Sequence, residues 1–126
     1  MATRADIRRI ALSLPEVSAG SPDFAFGVPD KGKVRGFVWS WKERIQPKKA
    51  RVPHPTIVAV RVANVGQKEV MLAAEPTKFF TEPHYNGFPA VMVRIEHVTV
   101  REMRVLLTEA WRCVAPKALL ARVKTR

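Results

Sequence analysis

The residues best equipped for chemistry crowd into FFTEPHYNGFP, Phe79 to Pro89, which holds four aromatic rings, a histidine, a glutamate and an Asn-Gly step. A His84–Tyr85 pair can pass a proton, because imidazole titrates near neutral pH. General acid–base work also needs a partner and a pocket, and no carboxylate stands at helical spacing from His84. Asn86-Gly87 readily takes positive φ and suits a tight turn. The same residues therefore fit a corner that plugs the bottom of a core with Phe79, Phe80, Tyr85 and Phe88. That is the favoured reading. A ligand or partner contact through His84, Tyr85 and Asn86 stays open, and catalysis has the least support.

A second candidate is WKERIQPKKARVPHP, Trp41 to Pro55. Residues 31 to 51 carry eight Lys or Arg and one Glu. Lys42, Arg44, Lys48, Lys49 and Arg51 lie on or beside a loop between strands, where cations can meet phosphates. Pro47, Pro53 and Pro55 stiffen that loop and lower the ordering cost of binding. The plainer account is a solvated charge run that protects an edge strand from aggregation. The C-terminal cations Arg112, Lys117, Arg122, Lys124 and Arg126 form a weaker candidate, since basic residues near helix ends also complement the helix dipole.

Other chemistries find little support. His54, His84 and His97 are too scattered for a metal site, and one cysteine adds little. Cys113 falls in helical register beside an apolar face and reads as a half-buried structural thiol. The six glycines never approach a phosphate-binding spacing. No metal and no cofactor are expected. Phe37, Trp39 and Trp41 alternate along one strand, so they are expected to share a face and to form core beneath helices. Trp41, last in the strand and next to Lys42, is the exception most open to contact with bases or a ligand.

The totals bound these options. With 126 residues the chain is expected to form one domain over its whole length, large enough for a core without disulfides. Lys plus Arg number 22 against 11 Asp plus Glu, a net charge of +11 that favours polyanionic partners. The single cysteine excludes an internal disulfide framework. No apolar run reaches the ~18 residues a membrane span requires, and the N-terminus, with Asp6 and helical periodicity, does not read as a signal peptide. A cytoplasmic protein with no membrane partner is expected, a monomer or weak homodimer.

The elements that must position these residues follow from periodicity. Ile7, Ile10, Ala11 and Leu14 trace a helix capped by Thr3 and Asp6 and stopped by Pro15. Phe24, Phe26 and Val28 mark a strand, PDKGK a turn, and Phe37 to Trp41 a second strand paired to it as a hairpin. Val58, Val60 and Val62 give a third strand. Asn64 and Gln67 open a short helix to about Ala74, and Val91, Val93 and Ile95 give a fourth strand. Thr99 with Glu102 is a capping box for a helix whose face runs Met103, Leu106, Leu107, Ala110, Trp111, Val114. Pro116 opens a last helix with Leu119, Leu120 and Val123. This order predicts an α+β two-layer sandwich, an antiparallel sheet with helices packed on one face.

EPTKFF (Glu75 to Phe80), PHYNGFPAVMVR (Pro83 to Arg94), EAWRCVAPKALL (Glu109 to Leu120) and the strand pair around Phe26, Val28, Lys33 and Phe37 resemble the MmcQ/YjbR family of small bacterial proteins. The resemblance spans nearly the whole chain. It implies a CyaY-like (frataxin-like) sandwich and DNA binding through a "double wing" of strand hairpins, and it supplies no catalytic residues. The long basic loop between the second and third strands departs from the family pattern. The expectation that follows is a non-enzymatic domain binding nucleic acid, double-stranded DNA before RNA, with little sequence specificity. Its contacts would be Lys42, Arg44, Lys48, Lys49 and Arg51, aided by Arg112, Lys117, Arg122 and Lys124. The alternative is a small scaffold binding a protein partner or an anionic ligand at the corner of His84, Tyr85 and Asn86, beside Trp41.

Overall fold

A computed structural model of the chain describes residues 1–20, 24–43 and 52–124. Its elements are α1 (Arg4–Ser13), β1 (Ser18–Ala19), β2 (Ala25–Asp30), β3 (Lys33–Glu43), β4 (Val52–Arg61), α2 (Val65–Ala74), β5 (Phe79–Phe80), β6 (Ala90–Arg94), α3 (Val100–Val114) and α4 (Lys117–Lys124), with 3-10 turns at Pro83–Tyr85 and Ile95–His97. The caps read from sequence are present. Thr3 and Asp6 form a reciprocal capping box on α1, Thr99 and Glu102 do the same on α3, and Asn64 accepts from the Gln67 amide at the start of α2. Each satisfies an orphan helical donor and fixes where its helix begins.

The strands form one six-stranded antiparallel sheet in the order β1-β2-β3-β4-β6-β5. The four-strand order expected from sequence missed β1 and β5, which are two residues each and too short to show a period. One face carries the main core. Phe26, Val38, Val60 and Val91 stand opposite one another across four strands and are buried beneath Ile7, Ile10, Met103, Leu107 and Trp111 from α1 and α3. Trp111 Nε1 also donates to the Pro15 carbonyl at 2.9 Å, which joins α3 to the end of α1. This is the α+β sandwich with helices on one side. Among the described residues no helix is long and apolar enough to cross a membrane.

The expectation that Phe37, Trp39 and Trp41 share the core face is overturned. Phe26 pairs with Val38, but the next residue, Gly27, pairs with Gly36, so Phe37 is an extra residue on β3. A bulge of this kind resets the two-residue alternation. Phe37 and Val38 both end in the main core, at 0% exposure, and from Trp39 onward the phase is reversed. Trp39 and Trp41 therefore stand on the opposite face of the sheet. Trp39 belongs to a transverse row of Ala25, Trp39, Ala59, Met92 and Phe80. In that row Ala59 and Met92 are fully buried, yet they lie outside the core cluster beneath the helices.

Gly27 makes the bulge possible. A Cβ built there would stand 2.7 Å from both the Arg35 carbonyl oxygen and Val34 Cγ1, inside the contact limit of a backbone atom that cannot step aside. Gly27→Ala should therefore destabilise the domain by about 1–3 kcal/mol, as overpacking does. Urea unfolding at constant m-value reads this as a lower midpoint, and an unchanged midpoint would refute this account of the bulge.

Candidate functional site

The reversed phase of β3 needs a cover for the second face, and the corner after β5 supplies it. Tyr85, Asn86, Gly87 and Phe88 form a β-turn in which Asn86 has φ −63° and ψ 129°, Gly87 has φ +79°, and Phe88 N–H donates to the Tyr85 carbonyl at 3.0 Å. These angles are those of a type II turn, in which only the third residue takes positive φ. Gly87 alone therefore meets the conformational demand, and Asn86 does not. The tight corner expected from sequence is present, but its rings do not plug the core. Phe79 alone enters the main core, while Phe80, Tyr85 and Phe88 lie on the other face and Phe88 is 39% exposed.

A buried lysine holds this turn. Lys68, on α2, is only 3% exposed and donates from Nζ to the carbonyls of both Tyr85 and Phe88, the first and last residues of the turn. Burial pushes its ammonium pKa below the usual lysine value. Sequence reasoning passed over Lys68, although it lies three and four residues before the half-buried Met71 and Leu72, and so on the inward side of its helix.

The corner and the strand enclose an aromatic cleft. Trp39 Nε1 donates to the Tyr85 hydroxyl at 3.1 Å, and the Phe88 ring meets those of Trp39 and Tyr85 edge to face, with centroids 6.5 and 6.1 Å away. Trp41 stacks on His54 at 5.9 Å and meets Phe80 edge-on at 5.9 Å. The Thr56 amide donates to His54 Nδ1 at 3.1 Å, which leaves the ring proton on Nε2 in the neutral form. The cleft, about 620 Å³, opens between the rings of Phe24, Trp39, Trp41, Tyr85 and Phe88 and the side chains of Lys42, Glu82 and His84. Trp41 Nε1 and Glu82 Oε1 are buried and lack a hydrogen-bond partner among the described residues. Two further cations share this face, the Arg61 guanidinium lying 5.5 Å from the Phe88 ring centre and that of Arg94 lying 4.2 Å from Phe80.

The residues expected to bind nucleic acid divide between two places. Lys42 is exposed on β3, at the mouth of the cleft, and its partners on β4 stand beyond the last β4–β6 pair, Ile57 with Arg94. Arg44, Lys48, Lys49, Arg51 and the Lys124 side chain lie outside the described residues. Arg112, Lys117 and Arg122 are exposed on the helical layer. Arg112 sits 3.9 Å from Glu109, and Arg122 the same distance from Glu16. Arg35 Nη1 reaches the Val114 carbonyl at 3.5 Å, so the end of α3 packs near the start of β3. Lys42 stands seven residues further along that strand, about 20 Å away. The C-terminal cations are thus a separate patch. The corner residues, by contrast, are brought together with Trp41: His84 is exposed and Tyr85 half-buried in one wall of the cleft.

Cys113 is half-buried and donates to the Glu109 carbonyl at 3.3 Å, and burial pushes its thiol pKa up, so it holds little thiolate. Among the described residues no cluster of three or more His, Cys, Asp or Glu could hold a metal ion.

Lys68→Met should take a charged donor from each of the two turn carbonyls, which keep only the Phe88 and Ala90 amides, at a cost of about 1–3 kcal/mol. Amide exchange at Phe88 should accelerate more than in α3. The lysine's lowered pKa means that the unfolded chain binds more protons between the folded value and 10.5. Wild type should therefore gain stability over the Met variant as pH rises through that window. A gap that stays constant with pH would contradict the desolvated ammonium.

Comparison with known proteins gives relatives rather than an activity. No family model matches the chain. The uncharacterized protein Rv2570 of Mycobacterium tuberculosis is 38% identical over 121 residues, covering 95% of this chain and 94% of its own. The uncharacterized protein Mb2600 of Mycobacterium bovis matches to the same extent. Among solved structures, the crystal structure of the Deinococcus radiodurans protein DR2400, with a DUF419 domain, superposes with a TM-score of 0.68 at 20% identity. That match covers 98% of this chain and 89% of the other, and it shows the shared α+β fold. Identity at the mycobacterial level over nearly the full length of both chains places the protein in one family with these uncharacterized mycobacterial proteins.

Proposed function

We propose that the protein is a non-enzymatic nucleic-acid-binding domain that grips phosphates through the ribbon of β3 and β4 and the basic stretch it carries, with double-stranded DNA as its first expected ligand. Membership of the MmcQ/YjbR family is part of the proposal. It rests on the matching sequence runs and on the fold shared with the DUF419 protein, whose domain is related to that family.

The observation that carries the reading is the register of the ribbon. The last β2–β3 pair is Ala25 with Trp39, and the last β4–β6 pair is Ile57 with Arg94, yet after a register shift between Ser40 and Lys42 β3 and β4 pair again at Lys42–Pro53 and Glu43–Val52. A two-stranded arm thus outruns both neighbours, and it leads to Arg44, Lys48, Lys49 and Arg51. Strands that hold cations away from the body of a domain suit contact with a phosphate backbone. The net charge of +11 draws polyanions toward it from a distance. No described side chain on the arm is arranged for base-edge readout, so binding should depend on salt more than on sequence.

A second reading, a scaffold that binds an anionic ligand or a protein partner at the His84–Tyr85 corner, is favoured by the cleft itself. The Glu82 carboxyl in its wall weighs against an anion, and the adjacency of Trp41 in the cleft to Lys42 on the arm lets one ligand touch both.

The test is fluorescence anisotropy with a labelled duplex of about 20 base pairs, titrated over a series of salt concentrations. Neutralising four to five phosphates should give a slope of log affinity against log salt near −4. Reversing Lys48, Lys49 and Arg51 to Glu should abolish binding without unfolding the domain. Unchanged affinity in that variant would refute the ribbon, and absence of binding at low salt would refute the nucleic-acid reading.

A further inference from the structure

We propose that the cleft between β3 and the Pro83–Phe88 corner seats one unpaired nucleobase, stacked among Trp39, Trp41, Tyr85 and Phe88, with base N–H groups donating to the Glu82 carboxyl. The inference rests on the nucleic-acid reading above and deepens it, because a paired, stacked duplex offers no base to such a cleft.

The character of the walls selects a planar heterocycle. Apart from Ala25, the apolar residues that line the cleft among those described are aromatic, with no Leu, Ile, Val or Met among them. An aliphatic chain gains as much from aliphatic walls, whereas flat rings gain from stacked and edge-to-face contact with other flat rings. The volume, about 620 Å³, falls among small-ligand sites and has room for a base with its sugar.

The polar groups narrow the choice further. Glu82 Oε1 is an acceptor without a partner among the described residues, and Trp41 Nε1 is a donor in the same state. Both atoms are buried rather than open to the cleft, so they meet a ligand only once their side chains turn toward it. The Glu82 carboxyl pivots about its last torsion, which is broad for this side chain, so either oxygen can meet an incoming donor. The Tyr85 hydroxyl accepts from Trp39 and keeps its own hydrogen to give. Mixed donors and acceptors on aromatic walls match the edge of a base, which mixes the same functions. A lipid headgroup or a bare phosphate would instead meet a carboxyl of its own sign.

One cation lines the cleft and two more lie against rings on the same face. Lys42 is exposed at its mouth, and Arg61 and Arg94 lie over Phe88 and Phe80 on the same face. Aromatic platforms bordered by cations bind single strands through stacking plus phosphate contact, with little preference among bases. Glu82 adds one bias. Bases with an exocyclic amine should be favoured over thymine, which has a single ring N–H to offer.

The decisive comparison keeps phosphates constant and removes bases. Affinities at fixed salt are measured by anisotropy for a labelled 12-nucleotide cytosine strand, for an abasic strand of the same length, and for a 12-base-pair duplex. The cytosine strand should bind on the order of ten-fold more tightly than the abasic strand, as base–aromatic stacking requires. It should also quench tryptophan emission, which the abasic strand should not. Tyr85→Ala should erase the ten-fold difference, and Glu82→Gln should narrow the preference for cytosine over thymine strands. The wild-type comparison stands even if Tyr85→Ala does not fold. Equal affinity for cytosine and abasic strands, with duplex binding intact, would overturn the base-seating inference and leave the phosphate grip standing. Failure of every strand and the duplex to bind would sink both.

Discussion

One extra residue in the third strand governs the rest of the molecule. Strand side chains alternate faces with period two, so inserting Phe37 between the pairs Phe26–Val38 and Gly27–Gly36 hands the core position to Val38 and sends Trp39 and Trp41 to the other side. A valine facing Val60 fits under α3, where a tryptophan would have to displace helix. The two large rings are then left on a face that must be covered by something other than a helix. That requirement creates the cleft.

The cover is built by local chemistry tied to distant anchors. Gly87 supplies the positive φ of a type II turn, and Lys68 fastens the turn to α2 through the carbonyls at both ends. A second lysine acts similarly on the strand before it. Lys78 Nζ pairs with Glu75 and with Glu102, the capping residue of α3, and its pKa is raised chiefly by Glu102 and then by Glu75. Its main-chain carbonyl accepts from the Arg94 amide at 2.9 Å. The sheet edge, the corner and two helix ends are thus joined, and Tyr85 and Phe88 are carried by a braced turn rather than a loose loop. Bracing of this kind lowers the ordering cost that a binding surface otherwise bears.

Most of the architecture was legible in the sequence because it rests on local rules. Thr3–Asp6 and Thr99–Glu102 are capping boxes by spacing alone, and the α3 face from Met103 to Val114 repeats with helical period. What misled was the assumption of unbroken alternation from Phe37 to Trp41. Nothing in GFVWSW marks a bulge, because the signal is the close approach of Gly27 to the Arg35 backbone across the hairpin. The lysine at position 68 stands in the inward register of its helix, but its partners, carbonyls 17 and 20 residues away, leave no local signal.

By itself, then, the sequence determined the helices and their caps, the antiparallel sandwich, the tight corner at Asn86-Gly87 and the basic surplus, all consequences of composition and of periods spanning a few residues. Tertiary structure decided which face each aromatic ring occupies and that the corner stands beside Trp41 and Lys42. It also decided that the cations of α3 and α4 lie apart from the β3–β4 arm. These outcomes turn on cross-strand register and on burial between segments far apart in the chain. A one-residue shift in that register inverts the result without changing any local preference.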